Sequence, residues 1–303
     1  MKRIIIICGP TGVGKTSFAI QIAQCFNGEI VGADSMQIYR HMNIGTAKPD
    51  LEEMNLVRHH LIDVIDPNEA FDAGRYVKLA DEAIKDILSR GKVPIITGGT
   101  GLYIKALLNG LFRSDSVCTK TLSGLTRELE EKGAHALHEK LVECDPKAAD
   151  KIHPHDSFRV IRALEVFQTT GKRLSDHQEG HNFHNRRYDA LKIGLYMERE
   201  ELYDRINHRV EAMLDKGLLN EVVSLVERGY SLDLKPMQSI GYKHMAIFIQ
   251  KEVDSAEAAR LLKRDTRRYA KRQFTWFRKD TEIIWFKPSE MDTSKKRIKE
   301  FLT

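Results

Sequence analysis

The chain has little cysteine, no apolar run long enough to cross a bilayer, and neither internal repeat nor low-complexity linker. Its four cysteines, Cys8, Cys25, Cys118 and Cys144, form no C-x-x-C pair and lack close zinc-ligand spacing. That argues against a disulfide scaffold and for buried thiols in a reducing cytoplasm. The opening run, MKRIIIICGP, is too short for a signal-peptide core and leads into a glycine-rich loop, so it reads as a strand. The 303 residues are 42% hydrophobic and 30% charged, which excludes a disordered chain and allows a sizeable core, in one domain with an insertion or in two domains. A net charge of +5 is too small to identify a partner; its distribution matters more.

The clearest local feature is RIIIICGPTGVGKTSFAIQIA, a strand, loop and helix in which Gly9 to Thr16 fit G-x-x-x-x-G-K-[ST]. Gly9, Gly12 and Gly14 let the backbone curl so that its N–H groups point inward at phosphate oxygens. A helix starting near Lys15 adds its positive end, Lys15 a mobile cation, and Thr16 a hydroxyl suited to Mg²⁺. The motif specifies a polyphosphate, without saying which one or what is done to it.

Strand-like runs recur at 4–8, 29–33, 60–65, 93–97, 192–197 and 283–286, with helical patterns between most of them, such as 75–90. This alternation predicts an α/β fold, a parallel sheet with helices on both faces, whose ligand residues gather at the carboxyl ends of the strands. It stops at 114–189, a charged stretch of helical pattern that reads as an insertion between a core at 1–113 and 190–303. Helices are expected at 199–216, 218–228 and over most of 255–278.

Asp34 follows the second strand. It is either a local capping acid or a general base aimed at a group beside the phosphates. Ser35 and Gln37 suit hydrogen bonds to the edge of a heterocycle. GGTGLY at 98–103 ends another strand; its glycines allow close backbone approach to a ligand, and Thr100 offers a hydroxyl. Asp63 and Asp66 imitate a Walker B acid, but the strand before them is short and they adjoin His59 and His60. His177, His181 and His184 read as a solvated loop rather than a zinc site. The segment 263–279, KRDTRRYAKRQFTWFRK, has eight lysines or arginines against one acid, with aromatics interleaved. That density suits phosphate contacts to a nucleic acid. Arg159 and Arg162 either bind phosphate or pair with Asp156 and Glu165.

Taken in order, GPTGVGKT, DSMQIYRHMNIGTAKP, HHLID, GGTGLY, RALE, QSIGYK and TRRYAKRQFTWFR resemble the bacterial tRNA dimethylallyltransferase (tRNA isopentenyltransferase) family. The resemblance spans residue 9 to about 278. It implies a P-loop nucleotide-kinase-like core and transfer of a dimethylallyl group to the exocyclic amine of the adenine 3′ of the tRNA anticodon. By the same resemblance, Gly9, Pro10, Thr11, Gly12, Val13, Gly14, Lys15 and Thr16 hold the diphosphate of dimethylallyl diphosphate rather than ATP, with Mg²⁺ on Thr16. Asp34 becomes the general base, with Lys15 and Thr100 as catalytic partners. Asp34, Ser35, Met36 and Gln37 meet the target base. Phe158, Arg159, Val160, Ile161 and Arg162, then Gln238, Ser239, Ile240, Gly241, Tyr242 and Lys243, and finally Arg268, Lys271, Arg272, Gln273 and Trp276 contact tRNA. A cytoplasmic monomer is expected. Two departures stand out: Gly12–Val13 replaces the family's usual Ala–Ser, and His244 stands where an acid is usual. Three other functions compete: a small-molecule kinase using ATP, a nucleotide-gated RNA-binding protein, and prenyl transfer to free adenine nucleotides.

Overall fold

The structure is a computed structural model that describes residues 2–110, 119–181 and 186–303. In chain order the first elements are β1 (Arg3–Cys8), α1 (Lys15–Cys25), β2 (Gly28–Gly32), α2 (Leu51–Leu56), β3 (His59–His60), α3 (Ala73–Ser89), β4 (Val93–Gly98) and α4 (Gly101–Asn109). Next come α5 (Thr119–Cys144), α6 (Pro146–Ala149), α7 (Ser157–Thr170) and α8 (Leu174–His181). The chain then continues through β5 (Asp189–Leu195), α9 (Arg199–Asp215), α10 (Leu218–Glu227), α11 (Tyr242–Ile249), α12 (Ser255–Phe277), β6 (Ile284–Phe286) and α13 (Met291–Leu302).

The chain divides into two units, Met1–Leu108 with Arg187–Thr303, and Asn109–Arg186. The larger unit is built on one parallel sheet of order β3-β2-β4-β1-β5-β6. Alternation along β1 splits its isoleucines between the two faces. Ile4 and Ile6 join Val31, Ile96, Ala80 and Ile84 on one side; Ile5 and Ile7 join Ile30, Ile95, Phe18 and Ile22 on the other. Both faces are therefore covered, as a parallel sheet requires. Cys8 lies opposite Gly98 and Gly194, and Gly32 opposite Thr97, so the loops after β1, β2, β4 and β5 emerge at one edge.

One expected strand is much shorter than its apolar run. Only His59–His60 of the 60–65 segment pairs with β2. Leu61 and Asp63 then take left-handed φ of 63° and 55°, which breaks the ladder, and Ile65 returns as a single bridge to Tyr39. Asp63 accepts from Lys48 Nζ and is not among the residues that line the cavity described below. The helices α2, α11 and α13 were not anticipated.

The smaller unit is helical. Asp145 is buried in it: one carboxylate oxygen accepts from Ala148 N at 3.1 Å, the other from Ser175 N at 2.9 Å. Its core holds Leu125, Leu137, Leu141, Val160, Ala163 and Leu164. Cys118, His184 and the boundary expected at 114 fall outside the described residues, as does the side chain of His181.

Candidate active site

The buried strand β1 delivers the chain to Gly9, where φ is +146° and a Cβ would lie 2.6 Å from the Leu195 carbonyl oxygen. Only glycine fits that turn. Val13 is buried beneath the loop. Gly14, at φ +97°, starts α1 without a side-chain cap, so the first amides of the helix are left to face an anion. Lys15 Nζ donates to Pro10 O at 2.8 Å. Burial pulls the Lys15 ammonium down to about 8; Asp34 opposes that shift and Arg209 adds to it.

Asp34 lies two residues beyond β2. Its Oδ1 accepts from Met36 N at 2.9 Å and from Gln37 N at 3.4 Å, which fixes the carboxylate by its own turn. Thr100 Oγ1 accepts from Ser35 N at 3.0 Å. Thr100 thus holds the Asp34 segment from the neighbouring loop and is not among the residues that line the cavity. The Gln37 amide donates to Thr46 O and Ala47 O, at 3.2 and 3.0 Å, and so braces a loop.

Thr11, Gly12, Gly14, Lys15, Thr16, Asp34 and Gln37 line one cavity of about 280 Å³. The glycine-rich loop and the carboxylate therefore share a single space. Three charged lining residues escape the sequence reading: Arg205, Arg209 and Glu53. Arg205 and Arg209 are one turn apart on α9, the helix that follows β5 at the same sheet edge. Burial lowers the Arg209 pKa from its ordinary value, and Asp34 opposes this. Arg209 Nη1 donates to Thr11 Oγ1 at 3.3 Å. The chemistry of this space is a wall of cations and amides for a polyanion, with two carboxylates, Asp34 and Glu53, at its wall.

Helix α12 crosses the GGTG loop. A Cβ on Gly99 would sit 2.1 Å from Gln273 Nε2, and one on Gly101 2.1 Å from Trp276 Nε1. The space beside Gly99 and Gly101 is filled by α12, whereas Gly98 of the same loop lines the cavity. Arg268, Lys271 and Arg272 are exposed, whereas Ala270, Gln273 and Phe277 turn inward. Gln273 is thus a support of the site and not a surface contact.

Three other expected tRNA contacts are corrected by burial. Val160 and Ile161 belong to the core of the smaller unit, and Tyr242 is fully buried with its hydroxyl donating to Glu221 Oε1 at 2.6 Å. Phe158, by contrast, is 77% exposed. Arg159 pairs with Asp156, and Arg162 with Glu165. In the 238–243 segment, Gln238 donates to Leu232 O, Ser239 is partly buried, Ile240 packs on the core, Gly241 turns with φ +100°, and Lys243 pairs with Asp265. His244 is buried: its Nδ1 accepts from Gly241 N, and its Nε2 faces Asp265. Burial lowers the His244 pKa, and Asp265 opposes that shift.

A family model described as IPP transferase matches residues 37–280. The chain belongs to the IPP transferase family. It is 51% identical to a tRNA dimethylallyltransferase of Desulfosudis oleivorans over 95% of this chain and 92% of the relative. It is also 51% identical to one of Acetivibrio thermocellus, over 99% and 96%. Among solved structures, the tRNA isopentenylpyrophosphate transferase of Bacillus halodurans superposes with a TM-score of 0.75 at 40% identity, covering 100% of this chain and 97% of the other. A eukaryotic dimethylallyltransferase described as acting on tRNA superposes with a TM-score of 0.75 at 34% identity, over 91% and 70%.

Proposed function

We propose that this chain transfers the dimethylallyl group of dimethylallyl diphosphate to the N6 amine of the adenine 3′ of the anticodon in tRNA, releasing diphosphate. The observation that carries the reading is the shared cavity of Lys15, Thr16, Arg209 and Asp34. The family's tRNA dimethylallyltransferases support the choice of donor and acceptor.

Adenine N6 is a poor nucleophile because its lone pair is delocalised into the ring. The allylic donor compensates: its C–O bond breaks with positive charge spread over the allyl group. Lys15, Arg205, Arg209 and the loop amides hold the diphosphate as charge develops on the departing oxygen. The N6–C bond forms as the C–O bond breaks, and Asp34 accepts the proton that N6 loses. The adenine reaches this space extruded from its stack, at a cost of a few kcal/mol that is smallest in an already open loop. Confinement in one cavity aligns both reactants.

The donor set fits Mg²⁺. Thr16 and Asp34 offer hard oxygens at the same cavity wall, and no group of three His, Cys, Asp or Glu forms a metal cage among the described residues. A Mg²⁺ that shares its shell with phosphate oxygens needs only one or two protein ligands, and Thr16 is the residue that would hold it. When bound, the ion supplies charge neutralisation at the diphosphate. On the protein surface, Arg268, Lys271, Arg272 and Trp276, and separately Phe158, Arg159 and Arg162, would meet the tRNA. A tRNA substrate supports a cytoplasmic location.

The direct test is to incubate the protein with dimethylallyl diphosphate, Mg²⁺ and unmodified tRNA, then weigh the digested nucleosides. An adenosine heavier by one dimethylallyl group is expected. Unmodified adenosine throughout, or prenylation of free adenine nucleotides in preference to tRNA, refutes the reading.

A further inference from the structure

The Gln273 amide sits between two loops of the site. Its Oε1 accepts from Thr11 N at 2.8 Å, and its Nε2 donates to Gly99 O at 2.9 Å. The chemistry fixes this orientation, because a backbone N–H can only donate and a backbone carbonyl can only accept. Glutamate ionised at this position would lack the donor, lysine the acceptor and methionine both. Gly99 makes the approach possible, since any Cβ there would collide with Nε2.

Each contact leads to a different part of the chemistry. Thr11 is held a second time through Oγ1 by Arg209, and the loop continues to Lys15 and Thr16. Gly99 precedes Thr100, whose hydroxyl holds Ser35 N beside Asp34. The amide itself is carried by α12, whose other face exposes Arg268, Lys271 and Arg272. No other side chain among the described hydrogen bonds joins the phosphate loop to the GGTG loop.

We propose that Gln273 is a positioning residue that sets the diphosphate loop and the Asp34 loop in register, anchoring both to the cationic helix Ser255–Phe277. It touches neither reactant. It acts by fixing the Thr11 amide and the Gly99 carbonyl, so that the cations and the base keep their spacing. The inference rests on reading the cavity as a prenyl-diphosphate site.

The test compares wild type with Gln273→Met, which has similar volume and no polar atoms. Gln273→Asn is the second variant, which keeps the amide but is one methylene too short to span both loops. Calorimetry with inorganic diphosphate in Mg²⁺ buffer, with and without tRNA, should show affinity falling roughly tenfold to a hundredfold in both variants, as loss of a buried hydrogen-bond partner does. The KM for dimethylallyl diphosphate should rise in parallel while tRNA affinity stays within about twofold. A purely structural role would lower the melting temperature and leave the diphosphate affinity of the folded protein unchanged. That outcome overturns the inference, as does a loss confined to tRNA affinity. A methionine variant that does not fold leaves the asparagine variant to decide. If the wild-type protein binds diphosphate yet prenylates no tRNA, the proposed activity fails while the role of Gln273 is still judged by the calorimetry.

Discussion

A Cβ on Gly101 would stand 2.1 Å from Nε1 of Trp276, so the first residue of α4 and the last turn of α12 meet at a distance that only glycine permits. Gly101→Ala forces the indole out of its seat. Overpacking of this kind costs about 1–3 kcal/mol. Trp276 is already 43% exposed, so it should swing toward solvent. The emission of a Gly101→Ala protein whose other tryptophan, Trp285, has been changed to Phe should shift to the red. An unchanged spectrum refutes the close approach.

Asp34→Asn keeps an oxygen to accept from Met36 N and removes the base. Turnover should fall by about 10²–10⁴ with tRNA affinity nearly unchanged, measured by single-turnover kinetics beside filter binding. A large loss of tRNA affinity at normal turnover would reassign Asp34 from chemistry to recognition.

Helix α12 exposes cations on one side only, and its Arg268 is 63% exposed at the side chain, with Asp265 3.8 Å away. If that face meets phosphates, Arg268→Glu with Arg272→Glu should weaken tRNA binding and flatten its logarithmic salt dependence by about 2, at about 0.9 for each phosphate no longer neutralised. An untouched slope means that the face is merely solvated.

What the sequence disclosed follows from how local each feature is. The glycine-rich loop is read from eight consecutive residues because its geometry is set by its own backbone. Asp34 is legible because it lies just past the end of a strand. Arg205 and Arg209 are not legible because their position depends on β5 pairing with β1 across 186 residues, Arg3 opposite Asp189. Gln273 reads as a surface residue because a charge-rich helix does not announce which of its polar residues turns inward. The apolar run at 60–65 misled for another reason: two left-handed residues, Leu61 and Asp63, interrupt it, and neither is glycine.

Glu221 makes a second connection that no motif signals. Its carboxylate accepts from Asn43 N, Ile44 N and Gly45 N, at 2.8, 2.8 and 3.1 Å, as well as from the Tyr242 hydroxyl. Glu221→Ala leaves these donors without their acceptor. Stability to urea should drop by about 1.5–3 kcal/mol, the range for hydrogen bonds to a charged group. A change under about 0.5 kcal/mol would mean that water replaces the carboxylate without loss.

Lys15 gives the enzyme a pH signature. Burial holds its ammonium near 8 in the free protein, below the ordinary lysine value of 10.5. Diphosphate favours the charged form, so binding must raise that pKa again. Below about pH 8 the lysine is already charged and donor affinity should not vary on its account. Above it, binding takes up a proton, and the Kd for dimethylallyl diphosphate without tRNA should rise by up to about tenfold per pH unit. Lys15→Arg carries a charge that does not titrate in this range. It should bind more weakly because its shape differs, but with a flat profile from about pH 7 to about pH 10. Calorimetry in buffers of different ionisation enthalpy counts the protons directly. A wild-type profile as flat as that of the arginine variant would show that Lys15 stays charged in the free protein and that Asp34 outweighs the cost of burial.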